Sequence, residues 1–123
     1  MTQSLEDYLE MVGVLDDEGP VRVTDIAARL GVSKPSALAG LRALEAQGFI
    51  THERYGSVAL TAAGRASSAG IRARHEMLKT FLLDIIGVSD EAAERDACKM
   101  EHYLSPETLE KMRAMVGTMM GCC

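Results

Sequence analysis

Tryptophan is absent from this chain, and only two Phe and three Tyr are present. A core built on large rings is therefore excluded. With 47% apolar residues, the interior must be Leu, Ile, Val, Ala and Met. Eight Met is high for 123 residues, and Met suits irregular gaps in cores and interfaces. Cysteine is scarce and odd in number, with two of the three at the very end, Cys122 and Cys123. That is no disulfide framework, and it points to a reduced, cytoplasmic protein. The tail pair reads most plainly as a fraying end. No run is apolar and long enough to span a bilayer, and no secretory leader is read. Repeats and low-complexity segments are missing as well.

Lys and Arg are missing from the first twenty residues, which carry six acids: Glu6, Asp7, Glu10, Asp16, Asp17 and Glu18. The net charge of −5 argues mildly against nucleic-acid binding if it is averaged over the chain. Its distribution matters more. Residues 21–60 reverse the sign locally, with Arg22, Arg29, Lys34, Arg42 and Arg54 against Asp25, Glu45 and Glu53.

The length fits one large domain or two small ones. Leu5, Tyr8, Leu9, Val12 and Leu15 recur at helical spacing, and Gly19-Pro20 stops them. Thr24 is the expected N-cap of a second helix that Gly31 closes. Ser33 caps a third, with Pro35 in its first turn and Leu38, Leu41 and Leu44 on its buried face. Helix, tight Gly turn and helix form helix-turn-helix spacing. Two short strand-like runs around Gly56-Ser57 come next, and a hairpin placed there is a wing. A long helix runs from Thr61 to Ile86 and ends at Gly87. Ser89 opens a helix through Tyr103, and Ser105-Pro106-Glu107 opens the last. The expected fold is mainly α: a winged helix-turn-helix over residues 1–63, then a helical metal-binding and dimerisation domain over 64–123.

Chemistry concentrates in Cys98-Lys99-Met100-Glu101-His102. On a helix, Cys98, Glu101 and His102 leave one face. A thiol, a carboxylate and an imidazole form a mixed S/O/N donor set. Such a set suits a borderline-soft divalent transition metal better than calcium or magnesium. Asp7 and Glu10 share a face of helix one, and His75 lies mid-chain. Each residue alone also has a plainer reading. Cys98 could be a buried small hydrophobe, Glu101 a solvated face and His102 core or surface. Asp7 and Glu10 could be ordinary acidic surface, and His75 a backbone or phosphate contact.

Several motifs follow one another along the chain: Leu5-Glu6-Asp7-Tyr8-Leu9-Glu10, Thr24-Asp25-Ile26-Ala27, Leu60-Thr61-Ala62-Ala63-Gly64 and Arg74-His75-Glu76-Met77-Leu78. Asp84-Ile85-Ile86-Gly87-Val88 and Ala97-Cys98-Lys99-Met100-Glu101-His102 with Leu104-Ser105 complete them. Taken in order, they resemble the diphtheria-toxin-repressor and manganese-transport-regulator family of metal-dependent repressors. The resemblance implies Asp7, Glu10, His75, Cys98, Glu101 and His102 as metal ligands. Manganese-sensing members carry a glutamate where Cys98 stands. Iron-sensing members have the Cys-x-x-Glu-His run, but a Met in place of Asp7 and an ancillary carboxylate where Lys79 stands. Cys98 softens this hybrid site toward Fe(II), Co(II), Ni(II) or Zn(II), and Asp7 and Glu10 keep Mn(II) within reach. Fe(II) is the expected ion, with Mn(II) next and Zn(II) tight in vitro. The expected form is the short one, without the C-terminal barrel domain of the iron-type repressors.

For DNA, Lys34, Pro35, Ser36 and Ala37 begin the recognition helix, where base edges are read. Arg42 and Arg54 are the expected phosphate contacts. His52 falls in the wing as a strand or DNA-backbone residue. Surplus apolar faces on the long and last helices predict a homodimer on a near-palindromic operator. The expected function is a metal-activated repressor of metal homeostasis. A thiol redox sensor is the alternative, and a small hydrolase using Glu76 as base is a remoter one, with no His-Glu-x-x-His pattern behind it.

Overall fold

A computed structural model describes residues 2–53 and 57–120. Arg54, the Gly56 end of the wing turn, Cys122 and Cys123 lie outside them. The chain forms two compact units, residues 1–70 and 71–123. The division falls inside a helix, whereas the sequence reading divides the chain at 63/64.

In the first unit, α1 (Gln3–Asp16) starts where the Thr2 hydroxyl accepts from the Leu5 N–H at 3.2 Å. Leu9 and Val12 on its inner face are wholly buried. It ends three residues short of Gly19-Pro20. α2 (Val23–Leu30) starts two residues earlier than a Thr24 cap allows. Its N-cap is Arg22, whose side chain makes no capping bond, and the Arg22 carbonyl accepts from Asp25 and Ile26. Gly31 ends it in the left-handed conformation, φ 66°. α3 (Lys34–Ala46) is capped as expected, with Ser33 Oγ accepting from the Ser36 N–H at 3.2 Å and Pro35 in the first turn. Its buried stripe is Ala37, Leu41 and Leu44, spaced four and three, while Leu38 is half-buried. Gly40 lets α1 approach, because a Cβ there would stand 2.5 Å from the Tyr8 ring.

β1 (Ile50–His52) and β2 (Val58–Leu60) pair antiparallel, Ile50 opposite Leu60, which is the expected wing. Val21 adds an isolated antiparallel bridge to β2 that the sequence reading does not contain: its carbonyl accepts from the Val58 N–H at 2.7 Å. Thr61 then starts α4 (Ala62–Thr80), its hydroxyl donating to the Gly48 carbonyl at 2.6 Å and accepting from the Gly64 N–H at 3.0 Å. Gly64 lies so close to Phe49 that a Cβ would overlap the Phe49 carbonyl.

In the second unit, the part of α4 beyond Gly70 runs into a π-helical segment, Phe81–Ile86, where the sequence suggests plain α-helix to Ile86. Gly87 ends it at φ 85°. α5 (Asp90–Met100) starts on Ser89, whose hydroxyl accepts from the Ala92 N–H at 3.2 Å. It yields to turns at Glu101–Tyr103, sooner than expected. α6 (Pro106–Met120) starts on the Ser105 hydroxyl. Met77, Leu78, Leu82, Ala93, Ala97, Leu109 and Met112 make the core, a mix of small and flexible residues that lets helices meet closely. No described helix is long and apolar enough to cross a membrane.

Candidate metal centre and nucleic-acid interface

The start of α5 at Ser89 sets which side chains its inner face presents. Ala93 and Ala97 go into the core, and Glu94 and Cys98, one turn apart, share the neighbouring stripe. Across from them on α4 stands His75. Its Nε2 is 3.1 Å and 3.2 Å from the two Glu94 oxygens. Cys98 Sγ is 3.9 Å from Glu94 Oε1. One donor atom each from His75, Glu94 and Cys98 lie within 4.8 Å of one another. A nitrogen, an oxygen and a sulfur this close can converge on one transition ion with small side-chain adjustments.

Behind the cluster is Glu101, whose side chain is 1% exposed. A buried carboxylate needs partners, and it has two imidazoles. Its Oε2 is 3.0 Å from His75 Nδ1 and its Oε1 is 3.2 Å from His102 Nε2, itself 1% exposed. A carboxylate on one ring nitrogen orients the other nitrogen of His75 outward, toward Glu94 and Cys98. On the solvent side, Lys79 Nζ is 3.2 Å from Glu94 Oε2 and 3.6 Å from Asp90 Oδ1. Burial pushes the Glu94 carboxyl up, but hydrogen bonds from Lys79 and His75 outweigh it and leave the group below the usual carboxylate range. The Lys79 ammonium is held above its ordinary value, chiefly by its bond to Glu94 and then by the charge of Asp90.

Of the six ligands expected from sequence, His75, Cys98, Glu101 and His102 gather in this unit. Asp7 and Glu10 are half-buried on α1, in the first unit. Glu94 is absent from the sequence reading. Its signal is there to find: it stands four residues before Cys98, on the same helical face.

The nucleic-acid face belongs to the first unit. Lys34, Pro35, Ser36 and Arg42 are exposed on α3. Ala37 is not: it has no exposed surface and packs in the core stripe beside Leu41 and Leu44. The expectation that Ala37 helps read base edges is therefore corrected, since a methyl group facing the core cannot meet a base. Arg54 falls outside the described residues. Arg22, Lys34, Arg42 and His52 line one groove of about 450 Å³, with Glu45 and Glu53 on its wall. Arg22, the N-cap of α2, counts in the local charge of the sequence but not among its expected DNA contacts.

Residues 1–58 match the iron dependent repressor N-terminal DNA binding domain. Residues 61–123 match the iron dependent repressor metal binding and dimerisation domain. The chain is 43% identical over 110 residues to the transcriptional regulator MntR of Escherichia coli, covering 89% of this chain and 70% of that protein. It is 35% identical over 116 residues to an HTH-type transcriptional regulator of Methanocaldococcus jannaschii, covering 92% of each. A manganese-dependent transcriptional repressor solved with manganese superposes with a TM-score of 0.84 at 30% identity, over 92% of this chain and 52% of that one. The chain thus spans about half the length of that solved protein. These relatives regulate transcription, and the hydrolase alternative is set aside. Matched in tandem by both domains and by a relative 43% identical, the chain belongs to the iron-dependent repressor family of metal-dependent transcriptional regulators.

Proposed function

We propose that this chain is a cytoplasmic, homodimeric repressor that binds a near-palindromic DNA operator when a divalent transition metal occupies its second unit. The observation that carries the reading is the convergence of His75, Glu94 and Cys98 donor atoms in front of the buried Glu101. A bound cation supplies positive charge to a carboxylate-rich centre and joins donors from separate elements. His75 and Cys98 bind it, and Glu101 and His102 hold the imidazole face in place or enter the coordination sphere. Asp7 and Glu10 are the ligands proposed from α1. Their recruitment ties the DNA-binding unit to the helical one and fixes the spacing of two recognition helices in a dimer. Metal then favours the DNA-competent arrangement, and by linkage DNA tightens metal binding equally.

Cys98 supports Fe(II) as the sensed ion, because a thiolate favours softer metals. Mn(II) is the second reading, supported by the MntR relatives, the manganese-dependent structure and the carboxylates of Glu94 and Glu101. Protein purified without oxygen is analysed for metal, and its binding to duplexes selected from a random library is measured with each ion. Tight, sequence-selective binding with Fe(II), weaker with Mn(II), is expected. Equal affinity for selected and scrambled duplexes at saturating metal would falsify the regulator reading. Thiol titration with and without metal separates it from a redox switch, since ligation protects Cys98 and oxidation consumes it.

A further inference from the structure

The Glu94 carboxylate faces two ways. Its Oε1 looks toward His75 Nε2 and Cys98 Sγ, the candidate ligands. Its Oε2 is 3.2 Å from the Lys79 ammonium and 3.2 Å from His75 Nε2 as well. Lys79 stands one turn beyond His75 on α4, so both leave the same face. Asp90 and Glu94 are likewise one turn apart on α5, and Lys79 Nζ lies between them, 3.6 Å from Asp90 Oδ1. The side chain of Lys79 is only 26% exposed, while its partners are 79% and 49% exposed. Without the ammonium, Asp90 and Glu94 would present a pair of carboxylates beside the first cluster, suited to a second divalent ion.

We propose that Lys79 is a tethered cation in the place of that second ion, so that the centre accepts one divalent metal per chain. A surface ion pair contributes little to stability. Its consequence here is exclusion: a divalent ion entering the Asp90–Glu94 position must face a positive charge and compete for the same oxygens. Removing one charge about 4 Å from a divalent ion raises its affinity roughly 30-fold even at the dielectric of water. The inference rests on the metal reading above and adds its stoichiometry.

The test is equilibrium dialysis against Co(II) without oxygen, with bound metal counted per chain and thiolate-to-cobalt absorption followed in parallel. Three proteins are compared: the unmodified chain, Lys79→Gln and Lys79→Glu. Circular dichroism confirms that each is folded. We expect one Co(II) per chain for the unmodified protein. Lys79→Glu should hold two, and Lys79→Gln should bind a second ion about 30-fold more tightly than the unmodified chain. The thiolate absorption should saturate at the first equivalent in all three, because the second position lies away from Cys98. Two tightly held ions in the unmodified chain, or one in all three proteins, overturns the inference and leaves the metal reading standing. An unmodified chain that retains no Co(II) overturns both. If Lys79→Glu does not fold, Lys79→Gln alone decides.

Discussion

Glu101 is the residue on which the proposed metal centre turns. A carboxylate at 1% exposure is costly unless it is compensated, and the His75 imidazole bonds it at 3.0 Å, with His102 Nε2 3.2 Å from its other oxygen. That arrangement makes His75 a pre-oriented donor rather than a freely turning ring. Substituting His75→Ala should abolish metal-dependent DNA binding and leave helix content unchanged, which anisotropy titrations and circular dichroism check together. Cys98 is the ligand proposed to set the kind of metal. Cys98→Glu exchanges a soft donor for a hard one and should shift activation from Fe(II) toward Mn(II). Activation curves for the two ions that do not move would place Cys98 outside the coordination sphere. Both variants should be compared at fixed pH, because the thiol and the imidazoles must lose protons to ligate, so metal affinity rises with pH.

At the scale of elements, the recognition helix depends on its first turn. Ser33 satisfies the Ser36 N–H and also donates to the Ser36 hydroxyl at 2.9 Å. Ser33→Ala should cost about 1 kcal/mol of stability, read from denaturant midpoints. It should also loosen Ser36 at the proposed DNA face, so operator affinity should fall by more than the stability change alone implies. The seating of α4 depends on Gly64. A Cβ there would overlap the Phe49 carbonyl, and backbone cannot rotate aside as a side chain can. Gly64→Ala should therefore destabilise the first unit by about 1–3 kcal/mol. A melting temperature equal to that of the unmodified chain would show that Phe49 has room to shift.

For the molecule as a whole, the predictions concern assembly and charge. Exposed apolar residues, with Ile86 at 56% and Met115 at 52%, belong to the second unit, where the family match places dimerisation. Light scattering at micromolar concentration should report a dimer. Arg42 and Lys34 share the groove on the first unit with Arg22. Arg42→Ala should weaken binding to specific and scrambled duplexes alike and lower the salt slope by about one, the signature of a single phosphate contact. Ser36 substitutions should instead change which duplex is preferred, because a short side chain at the helix start reads base edges.

The periodicities, caps and motifs of this sequence suffice for the succession of helices, the wing and the family. Each rests on local physics: Ser33, Ser89 and Ser105 cap the helices that begin after them, and Gly31 and Gly87 end the helices before them. Tertiary packing decided the rest. It turned Ala37 inward, because spacings of four and three align it with Leu41 and Leu44 and no linear motif reports which stripe the core selects. It drew Val21 to the wing, and it converted the end of the long helix into a π-helical segment. It also added Glu94 and Lys79 to the centre. Glu94 reads as one more solvated acid until α5 packs beside α4, and Lys79 reads as an ordinary helix lysine. Their chemistry exists only once two helices, with Lys79 and Glu94 fifteen positions apart in sequence, bring opposite charges within 3.2 Å.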